Sequence, residues 1–252
     1  MPESMTTKLQ FKNANMILKV TAAIALAVLT PSTFSPMLNK IPVADAVTCS
    51  TASGSHCYAI EKKTTSTYGN QAQTTVTQLT LPSNYCSNGD FSDIEEWVNF
   101  ANGGWVEMGY TIGKIQGSCT TSPVTFHAWY VSGVYQEYND GSISVGSQPL
   151  YTVDDAAADG TWFFLKNGVS VNYITSPYLQ GADNWVGAET TTNSAGIPST
   201  DINYIAYDSG PGTFNYWTSA SSTRIDNPPL WLIQCSPNYK HIKVGSGTTG
   251  VC

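Results

Sequence analysis

The sequence predicts an all-β fold, a two-sheet antiparallel β-sandwich. From Trp105 onward the chain reads as short runs of alternating apolar and polar residues, broken by Gly, Asn, Asp and Pro. No heptads, no long amphipathic helix and no strand–helix alternation appear, which excludes a parallel βαβ design. The 252-residue chain is also long enough for one sandwich with a full core once its N-terminal segment is set aside.

Residues 1–46 read as an export signal. Lys8, Lys12 and Lys19 make a basic start, and Val20 to Leu29 is an apolar run too short to span a bilayer. Ala44-Asp45-Ala46 offers a small-x-small cleavage site before Val47. Residues 47–90 form a Ser/Thr-rich segment joining the domain, with one strand over Ala72–Leu81. Residues 91–252 are the sandwich itself. Within it, Ile94–Phe100 is expected to form one short helical turn capped by Asp93. The expected strands are Trp105–Ile112, Val124–Tyr130, Gly133–Tyr138, Gln148–Val153, Trp162–Leu165, Val169–Ile174, Trp185–Thr191, Tyr204–Asp208 and Leu230–Cys235. Asn167-Gly168, between Trp162–Leu165 and Val169–Ile174, supplies the positive φ angles of a tight hairpin turn.

All six cysteines lie beyond residue 46, and an even count in an exported chain implies disulfides. Sequence proximity favours Cys49–Cys57, Cys86–Cys119 and Cys235–Cys252. Their spacings match no zinc module, and no cofactor is implied. The chain carries 11 Lys and Arg against 18 Asp and Glu, a net charge of −7. That balance argues against nucleic acid or an anionic membrane as partner, and it suits a secreted protein.

Two glutamates stand in matching settings. On a strand, Trp105, Glu107, Gly109 and Thr111 share one face, while Val106, Met108, Tyr110 and Ile112 share the other. Likewise Trp185, Gly187 and Glu189 oppose Val186 and Ala188. Each strand then has an apolar side and a side bearing Trp, Gly and Glu. If the strands are close, two carboxylates and two indoles share one groove. Such a groove has three readings. One is a hydrolase, in which one carboxyl holds a proton and the other activates water, on a peptide or a glycoside. The second is a carbohydrate-binding surface with Trp platforms. The third is a solvated strand face without chemistry.

The run Val106 to Tyr138 resembles the core of the neprosin family. It carries Glu107-Met108-Gly109-Tyr110, then Phe126-His127-Ala128-Trp129-Tyr130, then Gly133-Val134-Tyr135-Gln136, with Gly187-Ala188-Glu189 further on. Where that family has a second glycine and a tryptophan, this chain has Ala188 and Tyr110. The resemblance implies a jelly-roll or concanavalin-like sandwich and a glutamic peptidase cutting after proline in acid. Glu107 and Glu189 would be the catalytic pair, acting on a polypeptide, with polysaccharide as the alternative substrate. It also implies that Trp and Tyr side chains such as Trp105, Trp185, Trp129 and Tyr110 line the cleft. Gln136 or Tyr110 is a candidate donor to the oxyanion.

The remaining chemistry-bearing residues give weaker signals. His127 reads as a surface residue, and His56 and His241 have no acid and nucleophile near them in sequence. No Gly-x-Ser-x-Gly elbow supports serine catalysis. Asp154, Asp155 and Asp159, or Asp90 and Asp93, lack EF-hand spacing for calcium.

Overall fold

A computed structural model describes residues 56–226, 230–236 and 239–252. The expected export signal, and Cys49 of the first expected disulfide, lie outside the described residues. The strands are β1 (Cys57–Thr67), β2 (Gly69–Thr74), β3 (Phe91–Asn99), β4 (Trp105–Ile115), β5 (Ser118–Val131), β6 (Val134–Ser142), β7 (Leu150–Asp154) and β8 (Thr161–Lys166). They continue with β9 (Val169–Thr175), β10 (Gly181–Thr190), β11 (Thr200–Asp208), β12 (Phe214–Tyr216), β13 (Ser222–Ile225), β14 (Leu230–Gln234) and β15 (His241–Ser246). One helical turn, α1 (Tyr85–Asn88), precedes β3.

The strands form two antiparallel sheets. One runs β13-β1-β10-β3-β4-β5-β6, and the other runs β14-β15-β11-β2-β7-β8-β9 with β12 on β11. The core lies between them. Ile94, Val98, Val106, Met108, Ile112, Val186 and Ala188 of the first sheet meet Tyr151, Val153, Trp162, Phe164, Ile202 and Ile242 of the second. The alternation read from the sequence on β4 and β10 therefore holds: the Val/Met/Ile/Ala side is core and the Trp/Gly/Glu side faces away. The Asn167-Gly168 hairpin also holds, with φ of 53° and 75°.

Two expectations fail locally. Ile94–Phe100 is not a helical turn capped by Asp93. It belongs to β3, the middle strand of the first sheet. The stretch mixes acids ahead of apolar residues, which imitates a helix N-terminus. Its true period is two, with Ile94 and Val98 inward and Asp93, Glu95 and Trp97 outward. The strand expected over Ala72–Leu81 ends at Thr74, after which Val76 and Leu79 reach the core from irregular backbone. The Ser/Thr-rich segment also does more than join the domain, because β1 and β2 enter one sheet each.

Cys86–Cys119 and Cys235–Cys252 are both bonded, closing separations of 33 and 17 residues. The first ties α1 to β5 and the second ties the C-terminus to the chain just after β14. Among the described residues no helix is long and apolar enough to cross a membrane.

Candidate active-site groove

The outer face of the first sheet is a groove of about 760 Å³. Its register can be read in rows across β10, β3 and β4. Trp185, Trp97 and Glu107 form one row. Gly187, Glu95 and Gly109 form the next, and Glu189, Asp93 and Thr111 the third. Glu107 and Glu189 therefore stand on the two strands that flank β3, at diagonal corners of this patch. Their partners on β3 are four residues apart, about 13 Å along the strand. Both glutamates line the one groove. Glu95 sits in the middle row, between two glycines.

The glycines are there because the backbone is close. A Cβ on Gly109 would fall 2.2 Å from the Ile94 carbonyl oxygen and 2.8 Å from the Cα and Cβ of Glu95. A Cβ on Gly187 would fall 2.1 Å from the Ala59 carbonyl oxygen. A side chain at either position would force apart strands whose ladder sets the carboxyl spacing.

Aromatic rings wall the groove. Trp97 and Trp185 lie with centroids 5.5 Å apart and planes at 55°. Tyr58 meets Trp185 edge-on at 6.3 Å, and Trp105 meets Tyr135 at 5.9 Å. Arg224 stacks over Tyr58 at 4.3 Å while its guanidinium donates to Asp226 at 2.7 Å.

The electrostatics are dominated by crowded acid. Burial, then the neighbouring Glu189 and Glu137, holds the Glu107 carboxyl well above the usual carboxylate range. Burial, then Glu189 and Glu107, does the same to Asp93. Glu95 is raised by burial first, then by Asp93, Glu107 and Glu189. Glu189 differs in having a basic partner, since His56 hydrogen-bonds it through Nδ1. That bond raises the imidazole above its ordinary value against the opposing effect of burial. Glu189, held by His56, and Glu107, crowded by other acids, thus stand in different electrostatic settings in one groove.

The predicted site residues divide. Glu107, Glu189, Trp105 and Trp185 all line the groove. Tyr110, Trp129 and Gln136 do not. Tyr110 is fully buried in the core, where its hydroxyl accepts from the Thr77 N–H at 3.1 Å. Trp129 stacks on Phe164 of the opposite sheet at 5.8 Å. Gln136 pairs with Trp129 across β5 and β6 and shares its side, so its neighbours Tyr135 and Glu137 take the groove side. The reason is strand parity: one residue of offset on β6 exchanges the faces. Neither Tyr110 nor Gln136 is therefore placed to serve an oxyanion.

His127 is not a surface residue. It is 1% exposed, with Nδ1 at 2.7 Å from Asp140 and Nε2 at 2.9 Å from Asn172, and it joins the two sheets. His241 pairs with Asp201 at 2.6 Å, away from the groove. Asp155 accepts from the N–H groups of Asp159 and Gly160, which uses it as a turn anchor.

The sequence does not point to Asp93, Glu95 and Trp97 as groove residues, because the start of β3 reads as a helical turn. Nor does it point to His56, whose partner is 133 residues away. Period-two reading of Asp93, Glu95 and Trp97 was the available signal for the first three. Nothing local signals the His56 contact.

No family model matches the chain, and no curated protein matches it. Solved structures give distant likenesses. A glycoside hydrolase family 16 endo-glucanase from Bacteroides ovatus, solved with G4G3G-2F-DNP, is 12% identical with a TM-score of 0.31, over 49% of this chain and 55% of that one. LamAcat from Zobellia galactanivorans is 12% identical with a TM-score of 0.30, over 72% and 63%. Domains LG4-5 of the mouse laminin alpha1 chain are 7% identical with a TM-score of 0.29, over 73% and 50%. The chain thus spans between half and two thirds of the length of these structures. At that distance a likeness assigns no activity.

Proposed function

We propose that the protein is a secreted, acid-active hydrolase that cleaves an extended polymer in this groove with Glu107 and Glu189. The observation that carries the reading is the pairing of environments. Glu107 is half-buried and crowded by acids, whereas Glu189 in the same groove is held by His56.

Glu189 acts as the base. It takes a proton from a water as the water attacks the scissile carbon. Glu107 holds its proton through the acid range and donates it to the oxygen on which charge develops. As the tetrahedral species collapses, Glu189 gives the proton it took from water to the leaving group and the hydroxyl proton returns to Glu107, which restores both carboxyls. No covalent enzyme intermediate forms. Trp97, Trp185, Tyr58 and Trp105 supply the flat surfaces that seat the polymer.

A peptide is the substrate class that the neprosin-like motifs support. The aromatic walls favour a polysaccharide as the second reading, because tilted indole pairs suit sugar rings as well as proline rings. A parallel assay separates them. The purified protein is incubated between pH 3 and 6 with denatured casein, a proline-rich peptide, and soluble β-glucans including laminarin. New peptide termini support the first reading and new reducing ends the second. Neither product from folded protein removes both.

A further inference from the structure

We propose that Glu95 is a positioning residue whose carboxylic proton is shared with Glu189 and fixes the direction of that side chain. This rests on the hydrolase reading above and assigns a third residue to the same site.

Glu95 occupies the centre of the patch. Its two oxygens are buried, and among the described residues no protein group donates a hydrogen bond to them. Oxygens of Glu95, Asp93 and Glu189 lie within 4.8 Å of one another. Two ionised carboxylates cannot hydrogen-bond, since each offers only acceptors. One proton between them converts repulsion into a charge-assisted bond.

Among the described residues the surrounding groups supply no other compensation. Asp93 precedes Glu95 on the same face of β3, while Glu107 on β4 and Glu189 on β10 stand diagonal to it, one row away on either side. The Tyr58 hydroxyl on β1 and Glu137 on β6 bring no positive charge. The nearby cations are committed elsewhere: Arg224 to Asp226 at 2.7 Å, and Lys62 to Asp183 at 2.9 Å. His56 bonds Glu189. Glu95 does not line the groove, so it acts through Glu189 rather than on substrate. His56 and Glu95 would hold the Glu189 carboxylate from two sides, leaving it one direction for water.

The test compares Glu95→Gln and Glu95→Leu with the unaltered protein, using kcat and KM against pH and the infrared carboxylic carbonyl stretch at neutral pH. Gln keeps a donor that cannot ionise. The expected result is a Glu95→Gln enzyme slower than wild type but far above Glu95→Leu, with activity persisting to higher pH. Glu95→Leu should lose about 100-fold in kcat through misplacement of Glu189, with KM little changed. The carboxylic band of the wild type should weaken in Glu95→Gln. Equal loss of activity in both variants, with no change in the band, would overturn the proposal by showing Glu95 ionised. So would a large stabilisation of wild type by calcium, magnesium, manganese or zinc chloride that Glu95→Gln abolishes, since a cation would then hold the three carboxylates. If wild type cleaves no polymer, the hydrolase reading fails, and the infrared comparison alone decides whether Glu95 holds the proton.

Discussion

His56, immediately ahead of β1, hydrogen-bonds Glu189 near the end of β10. Cys57 pairs with Thr190 and Tyr58 with Glu189 in the β1–β10 ladder, so the register of an entire strand delivers the imidazole to the carboxylate. The contact is what distinguishes Glu189 from the other acids of the groove. Imidazole titration by NMR should therefore give a higher His56 pKa in wild type than in Glu189→Gln. An unchanged value would mean that the contact contributes nothing in solution.

Stability should fall as the pH rises from acid to neutral. Asp93, Glu95, Glu96 and Glu107 are all raised by burial, and Glu61 and Asp154 are each raised to about 7. A folded carboxyl raised above its unfolded value binds its proton more tightly than the unfolded chain does. Its stabilisation is complete below about pH 4, where unfolded carboxyls are still protonated, and is lost as pH climbs through the folded value. Thermal melts should give a higher Tm at pH 4 than at pH 8. The opposite order would contradict the burial of these acids.

Much of this site was legible in the sequence, and the reason is period. On β4 and β10 an apolar residue alternates with Trp, Gly or Glu, so the faces could be assigned without tertiary information. β3 was not legible, since Asp93-Ile94-Glu95-Glu96-Trp97 fits a helix start as well as a strand. The placement of Gln136 failed because it pairs with Trp129, whose side packs on the second sheet, so Tyr135 and Glu137 take the groove face; alternation within one strand does not fix the face of its neighbour. His56 was illegible because its role comes from a partner on another strand.

Gly109→Ala should disrupt the middle of the sheet. Its methyl would meet the Ile94 carbonyl and Glu95 at distances that real side chains do not adopt. Overpacking of this kind costs about 1–3 kcal/mol, and denaturant unfolding should show it together with a loss of activity.

Cys86→Ser should destabilise the fold by about 3–4 kcal/mol, as expected for a closed loop of this length. The same measurement on Cys235→Ser should give about 3 kcal/mol for the shorter loop. Activity of the folded fraction should survive in both, since neither disulfide touches the groove.

Trp185→Ala should raise KM several-fold with a smaller effect on kcat, reflecting a stacking contribution of about 0.5–1.5 kcal/mol. A fall in kcat alone would assign Trp185 to the support of Glu189 and not to substrate.

The most direct measurement is polymer cleavage at pH 3–6 by wild type, Glu107→Gln and Glu189→Gln, with circular dichroism on each. The account predicts cleavage by wild type and loss of about 100-fold or more in each variant, with both still folded. Undiminished cleavage by either folded variant would contradict the assignment of that glutamate and, with it, the paired acid and base.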